Sequence, residues 1–201
     1  MASGERIGGI VLAGGSGARF GGPKQLAELG GRPLLEHALA AATAVLGRVV
    51  LVLGARADAV RERIDPRGAE VVVCPAWEAG MAETLKAGLR ALGGVDAAVV
   101  TLGDQPLVGA AAIERVVAAR GGGALAVRAT YDGSPGHPVV LERELFPRLF
   151  ELSGDVGARA VLSSPSVHVR AVPCEDVADP ADVDSPDDLR RIEARLAGES
   201  G

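Results

Sequence analysis

Two short stretches of this chain hold the groups best suited to chemistry on phosphates. Residues 11–26 read VLAGGSGARFGGPKQL, five glycines with Arg19 and Lys24 as the charged side chains, following directly on the apolar run RIGGIVLA. Glycines permit positive φ and let backbone N–H groups approach phosphate oxygens, while two cations can neutralise a departing β,γ-diphosphate. The loop is not a Walker A sequence, because Pro23 separates Gly22 from Lys24 and Gln25 stands where Ser or Thr is needed. The dinucleotide pattern begins at Gly15 and Gly17 but meets Phe20 in the third glycine's place, with Gly21 one residue late. No acidic residue ends the second strand to take a ribose, and Arg56 there suits at best a 2′-phosphate. Two readings of the loop remain: a cradle for a mononucleotide's phosphates, or a plain glycine turn with two solvated cations.

The second stretch is VVTLGDQP at 99–106. Asp104 stands just past the end of an apolar run, where open α/β sheets place their ligand contacts. A carboxylate there is a hard oxygen donor of the kind that holds Mg²⁺. The alternative is a cap for a helix that begins near Gly109.

Such loops need a sheet to carry them. Apolar runs of strand length lie at 6–13, 48–54, 69–74, 96–102, 124–130 and 166–172. Stretches with helical spacing of apolar residues lie between them at 33–46, 57–64, 80–92 and 110–120. The first four runs are continuously apolar, as parallel strands covered on both faces are. This rhythm predicts an α/β fold: a Rossmann-like, doubly wound, mostly parallel sheet with helices on both faces, in a single domain. SVHVRAV alternates instead and reads as a more exposed strand. After Thr130 the rhythm breaks into a polar loop, YDGSPGHP, then PVVL, then two helical stretches around ELFPRLFEL and DVGARAVL. The C-terminal SPDDLRRIEARLAG starts with Ser185 as N-cap, Pro186 at the first helical position and Asp188 completing a capping-box pattern.

Composition narrows the partners. The chain has 201 residues, 48% hydrophobic, 23% charged and only 2% aromatic. That is enough for one sizeable core built of Val, Leu, Ile and Ala. Scarce aromatics leave no stacking platform for single-stranded nucleic acid. A net charge of −5, with no basic run longer than Arg190–Arg191, argues against any nucleic-acid polymer as partner. No apolar stretch is long enough to span a membrane and MASGERIGG lacks the pattern of a secretory signal, so a cytoplasmic protein is expected. Cys74 and Cys174 have no metal-ligand spacing around them and read as reduced, partly buried thiols.

With these residues in view, VLAGGSGARFGGPKQL followed by LGDQP resembles the nucleotidyltransferases that attach a nucleotide to the molybdenum cofactor, the cytidylyltransferase type most closely. GRPLLEHAL (31–39), GHPVVL (136–141), SGDVGARAVL (153–162) and DVDSPDDL (182–189) resemble later blocks of that family in the same order, so the likeness covers nearly the whole chain. It implies transfer of a nucleoside monophosphate from an NTP to a terminal phosphate, with Mg²⁺ as cofactor and a phosphorylated pterin as acceptor. It also implies a molybdoenzyme or its chaperone as the recipient of the product.

Carried onto this sequence, the resemblance makes Arg19, Lys24 and Asp104 the catalytic set. It puts the nucleotide on Leu12, Ala13, Gly14, Gly15, Ser16 and Gly17, with Arg19 and Lys24 on its phosphates and Gly80 and Thr84 toward its base. His137, Asp155 and Arg159 would border the acceptor, and Asp104 with Asp184 or Asp182 would hold the metal. Residues 1–105 would form the nucleotide-binding part and 106–201 the acceptor-binding, closing part. The chemistry fits, because nucleotidyl transfer depends on positioning and charge neutralisation, the acceptor phosphate itself being the nucleophile.

Several alternatives stay open on the residues themselves. Asp155 either functions or caps the helical stretch it begins, pairing with Arg159 four residues on. Asp182 and Asp184 flank a helix start where acidic residues suit the dipole. Trp77 either packs in the core or lines a base pocket, and Glu83 could accept hydrogen bonds from a base amino group. His37 and His168 read as structural or merely exposed. Leu12-Ala13-Gly14-Gly15 is the form seen in guanylyltransferase relatives, while PKQL, GDQP, GHPV and GDVGAR follow the cytidylyl type, so CTP is preferred and GTP is the alternative. Two other classes remain: a nucleotide-binding cofactor chaperone and an NADP-dependent oxidoreductase.

Overall fold

The computed structural model describes residues 6–198. The N-terminal residues 1–5, part of the stretch read above for a secretory signal, lie outside them. In chain order the elements are β1 (Ile7–Ala13), β2 (Glu28–Leu29), β3 (Arg32–Pro33), α1 (Leu34–Val45), β4 (Val49–Leu53), α2 (Ala57–Arg61), β5 (Glu70–Val73), α3 (Met81–Leu92), β6 (Ala97–Leu102) and α4 (Ala110–Ala118). They continue with β7 (Ala126–Tyr131), β8 (Ser134–Glu142), α5 (Phe146–Phe150), α6 (Arg159–Leu162), β9 (Val169–Pro173) and α7 (Pro186–Gly198). Among the described residues no helix is long and apolar enough to cross a membrane.

Seven strands make one sheet in the order β5-β4-β1-β6-β8-β7-β9, in which β8 alone is antiparallel to its neighbours. The continuous apolar runs of β1, β4 and β6 are buried because helices cover both faces. Alternate side chains divide between two cores. Val11, Leu51 and Val99 pack with Leu39 of α1 and Ile113 of α4, whereas Ile10, Val50 and Val100 pack with Leu85 and Leu89 of α3. The expected doubly wound α/β architecture is present. β9 lies at one edge with no fully buried residue, as the alternation of SVHVRAV implies.

Two consequences of this sheet position the site. β1 and β6 are adjacent and in register, Leu12 opposite Leu102, so the glycine loop and the Asp104 loop leave the sheet side by side. Val183, Leu29, Leu34 and Ile192 form a small third cluster that seats α7 against the first hairpin. From there the Val183 amide donates to the Asp104 carbonyl at 2.9 Å, bringing the 182–184 segment to the mouth of the loops. The capping box of α7 forms as expected, the Ser185 amide and hydroxyl donating to Asp188 Oδ2 (both 2.7 Å) and the Asp188 amide donating to Ser185 Oγ (3.3 Å).

The stretch YDGSPGHP departs from its reading as a loop. Only Asp132 and Gly133 turn, and β8 begins at Ser134. Proline and glycine signal a loop locally, but the pairing to β7 overrides them. The β6 ladder stops at Val139, so Ser134–Pro138 are paired on one side only, where proline's missing N–H is tolerated. The helical stretches after β8 shorten to single turns, α5 and α6, separated by Gly157 at φ 52°. Cys74 and Cys174 are buried, unpaired and on opposite faces of the sheet, and burial pushes both thiols up.

Candidate active site

The glycine loop curls over the carboxyl end of β1 and is stapled from within. Gln25 is buried, and its Nε2 donates to the carbonyls of Ala13 (3.1 Å) and Gly15 (3.2 Å). Gly14 is required by packing, since a Cβ there would lie 2.6 Å from Thr84 Cγ2. Gly17 adopts φ 64°, the left-handed conformation that lets the chain turn toward Arg19.

Charged groups from three distant parts of the chain meet at this loop. Lys24 Nζ donates to Asp104 Oδ2 at 2.6 Å and to Asp184 Oδ1 at 2.8 Å. Arg19 NH2 lies 2.8 Å from Asp184 Oδ2. Burial works against the Lys24 charge, but Asp104 and Asp184 outweigh it and hold the ammonium above the usual lysine range. Asp182 takes a different partner, Gln105 Nε2 at 2.8 Å, an amide that also donates to the Pro180 carbonyl at 2.9 Å. Loss of hydration, with the charges of Asp104 and Asp184 beside it, raises the Asp182 carboxyl above the ordinary aspartate value. Asp184 rather than Asp182 therefore shares the cation with Asp104.

Beneath these charges lies a cleft of about 360 Å³. Leu12–Ser16 and Lys24 form one side, and Trp77, Gly80 and Thr84 the other. Thr84 lines the cleft, and its Oγ1 donates to the Met81 carbonyl at 2.9 Å. Trp77 fills both readings left open for it, packing on the α3-side core while lining the cleft. Glu83 does not face the cleft as a base acceptor. It lies 2.5 Å from Lys86 Nζ, which is buried and also donates to the Leu152 carbonyl at 2.9 Å.

A second cavity, about 390 Å³, adjoins the first and shares Leu12, Met81 and Asp155 with it. His137, Asp155 and Arg159 all line it. Asp155 and Arg159 do not stand on one helix, because Gly157 breaks the chain between a single 3-10 turn at 154–156 and α6. The two side chains form no ion pair, so the i,i+4 pairing expected from their spacing is absent. His137 is half-buried. Burial, with Arg128 adding and Asp104 opposing, pushes its imidazole down to about 4, leaving it neutral near pH 7.

His37 is structural, with Arg32 NH2 at 2.7 Å from its Nδ1 and the Leu29 carbonyl at 3.0 Å from its Nε2, and His168 is exposed. Arg56 is exposed at the start of α2 and does not line the cleft. Four side chains at or beside the cavities carried no role in the sequence reading. Gln25 and Gln105 stood inside the quoted PKQL and GDQP motifs, whereas Lys86 and Arg128 gave no local signal. Among the described residues no group of three or more His, Cys, Asp or Glu is arranged to hold a metal ion. Asp104 and Asp184 are two carboxylates around one cation, the donor set of an ion that keeps waters and phosphate oxygens as its other ligands.

The MobA-like NTP transferase domain family matches residues 9–171, most of the chain. The nicotine blue oxidoreductase of Paenarthrobacter nicotinovorans is 35% identical over 196 residues, covering 92% of this chain and 95% of the relative. The crystal structure of the Mycobacterium tuberculosis Rv0371c homologue from Mycobacterium sp. strain JC1 superposes with a TM-score of 0.84 at 33% identity, covering 96% of this chain and 98% of that one. Rv0371c from Mycobacterium tuberculosis H37Rv in complex with manganese superposes with a TM-score of 0.78 at 32% identity, covering 94% and 98%.

Proposed function

The chain belongs to the MobA-like NTP transferase family and is a nucleotidyltransferase, and on that premise we propose that it transfers CMP from CTP to the terminal phosphate of a molybdopterin-type cofactor. The observation that supports the assignment of the site is the Lys24 ammonium held between Asp104 and Asp184 at the mouth of the glycine-loop cleft. In this reading the loop amides of Gly14–Gly17 and the side chains of Arg19 and Lys24 take the triphosphate. Trp77 and Thr84 bound the base, and His137, Asp155 and Arg159 border the acceptor. Residues 1–105 supply most of the nucleotide cleft and 106–201 most of the acceptor side, with Asp184 reaching back to the metal position. The protein works in the cytoplasm and hands its product to a molybdoenzyme or that enzyme's chaperone.

An oxygen of the acceptor phosphate attacks the α-phosphorus of CTP. The bond from that phosphorus to the bridging oxygen breaks, and pyrophosphate leaves with the electron pair. Asp104 and Asp184 would hold Mg²⁺, which polarises the α-phosphate when bound. Their shared pairing with the Lys24 ammonium supports this reading, since two hard oxygen donors already flank one cation there. Arg19 and Lys24 stabilise charge on the leaving pyrophosphate, and His137, neutral near pH 7, lines the acceptor cavity.

The experiment is thermal unfolding with CTP, GTP, ATP, UTP and NADPH, each with and without Mg²⁺, followed by pyrophosphate release. A ligand at about 100 times its dissociation constant adds about 2.7 kcal/mol. Each kcal/mol moves the midpoint of a chain this size by roughly 2–4 °C. A Mg²⁺-dependent shift with CTP, and pyrophosphate release once a phosphorylated pterin is added, is the expected result. The same with GTP changes the base, and binding without release marks a nucleotide-carrying chaperone.

One observation favours a second reading, an NADPH-dependent reductase: the 35% identical relative is named an oxidoreductase. A shift with NADPH in place of every NTP is its signature.

A further inference from the structure

Arg128 lies on β7, opposite Val139 of β8 in the sheet. It shares the α3-side face with Ala126, two residues earlier, and its side chain enters the second cavity beside Arg159. Among the described residues the guanidinium has no carboxylate partner, and its Nε is buried without a hydrogen bond. Arg120, just after α4, shows what the fold does with an ordinary part-buried arginine: Nε and NH2 donate to the two oxygens of Glu142, both at 2.7 Å. Burial and the like charge of Arg159 both act against the Arg128 cation. Keeping two guanidinium groups together at an apolar wall, with nothing neutralising the inner one, is unfavourable in the free protein. It becomes favourable once an oxyanion accepts from the planar donor fork.

The rest of the cavity says what such an anion is attached to. Its walls are mainly aliphatic: Leu85 from α3, Val139 and Leu141 from β8, and Leu162 from α6. We propose that Arg128 and Arg159 form an anion seat in this cavity, which takes the phosphate or carboxylate group of an acceptor whose adjoining part packs on the aliphatic wall. Calling that ligand the acceptor rests on the nucleotidyl-transfer reading above; the seat itself rests on the cavity and the unpaired guanidinium. Arg128 is then the specificity-determining residue of the acceptor side, and the shared wall at Leu12, Met81 and Asp155 sets the ligand against the nucleotide cleft.

Calorimetric titration of the full chain with phenyl phosphate, benzoate and phenol tests the seat. Phenyl phosphate or benzoate should bind, and Arg128→Gln should weaken that binding about tenfold or more, as loss of a charged hydrogen bond does. Arg128→Lys should fall between, Arg159→Gln should lose less, and Arg190→Gln, at an exposed site on α7 outside both cavities, should bind as the wild type does. Whichever anion binds tighter identifies the group. Phenol binding as tightly as either anion, equal affinity in wild type and Arg128→Gln, no binding to wild type, or an equal loss in Arg190→Gln would each overturn the proposal. If Arg128→Gln fails to fold by circular dichroism, Arg128→Lys and Arg159→Gln decide. The CTP-induced thermal shift is measured on the same samples. Its absence from wild type, alongside Arg128-dependent anion binding, overturns the nucleotide reading and leaves the seat standing.

Discussion

The ammonium of Lys24 lies 2.8 Å from the carboxylate of Asp184, a residue 160 positions later in the chain. Asp104 approaches the same nitrogen from the opposite loop at 2.6 Å. One buried-end lysine thus holds together the first loop, the β6 loop and the start of the last helix. It also occupies the space between two carboxylates that a divalent ion would fill.

Replacing that lysine separates its two roles. Lys24→Gln leaves Asp104 and Asp184 facing each other without a cation, so the metal-free variant should melt below wild type. Added Mg²⁺ or Mn²⁺ should then raise its midpoint more than it raises that of the wild type, while CTP affinity falls. Scanning calorimetry across a metal titration reads all three; equal metal shifts in the two proteins would show that the carboxylates are not a cation site.

Asp104→Asn keeps the side-chain volume and removes the charge. Transfer should fall by roughly 100-fold or more, the scale seen when a group stabilising transition-state charge is lost. Circular dichroism should remain native, because the main-chain bond from Val183 to the Asp104 carbonyl is untouched. Unimpaired pyrophosphate release by this variant would sink the assigned site.

Gln25→Ala deletes both hydrogen bonds that hold the Ala13 and Gly15 carbonyls. With acceptors left unsatisfied at a buried position, the loss should be about 1–3 kcal/mol in urea unfolding. CTP affinity should fall with it, because the loop amides lose their fixed orientation.

Lys86 and Glu83 offer a double-mutant test. Lys86→Met strands Glu83 in a largely buried site and should cost on the order of 3 kcal/mol. Lys86→Met combined with Glu83→Leu should recover most of that, since an apolar pair of similar volume replaces the ion pair. Strict additivity of the two single changes would show that the pair is not coupled.

His137 sets a pH dependence in the metal-free protein. Its imidazole titrates at about 4 when folded, against an ordinary 6.5. Between those values the unfolded chain holds the extra proton, so stability falls as pH drops from 6.5 toward 4, by up to about 3 kcal/mol from this group. His137→Asn should flatten the stability curve in that window relative to wild type. Parallel curves for the two proteins would remove the histidine from the account.

Much of the fold was legible because it is local. The apolar runs of β1, β4 and β6 and the helical spacing of α1, α3 and α4 each declare their burial within about a dozen residues. The capping box at Ser185 and Asp188 and the glycine loop are local in the same way, and the resemblance of ordered motifs named the family. What could not be read from the chain is what depends on pairing across distance. Pro135 and Pro138 marked a loop, yet β7 holds that segment as a strand. Asp155 and Arg159 had helical spacing, yet a positive-φ glycine at 157 separates them. The tertiary structure alone decided that Asp184, not Asp182, shares Lys24 with Asp104, because that choice depends on where Val183 and α7 dock. It alone left Arg128 without a counterion among the described residues, because an arginine's partner is set by the facing strands and helices and not by its sequence neighbours.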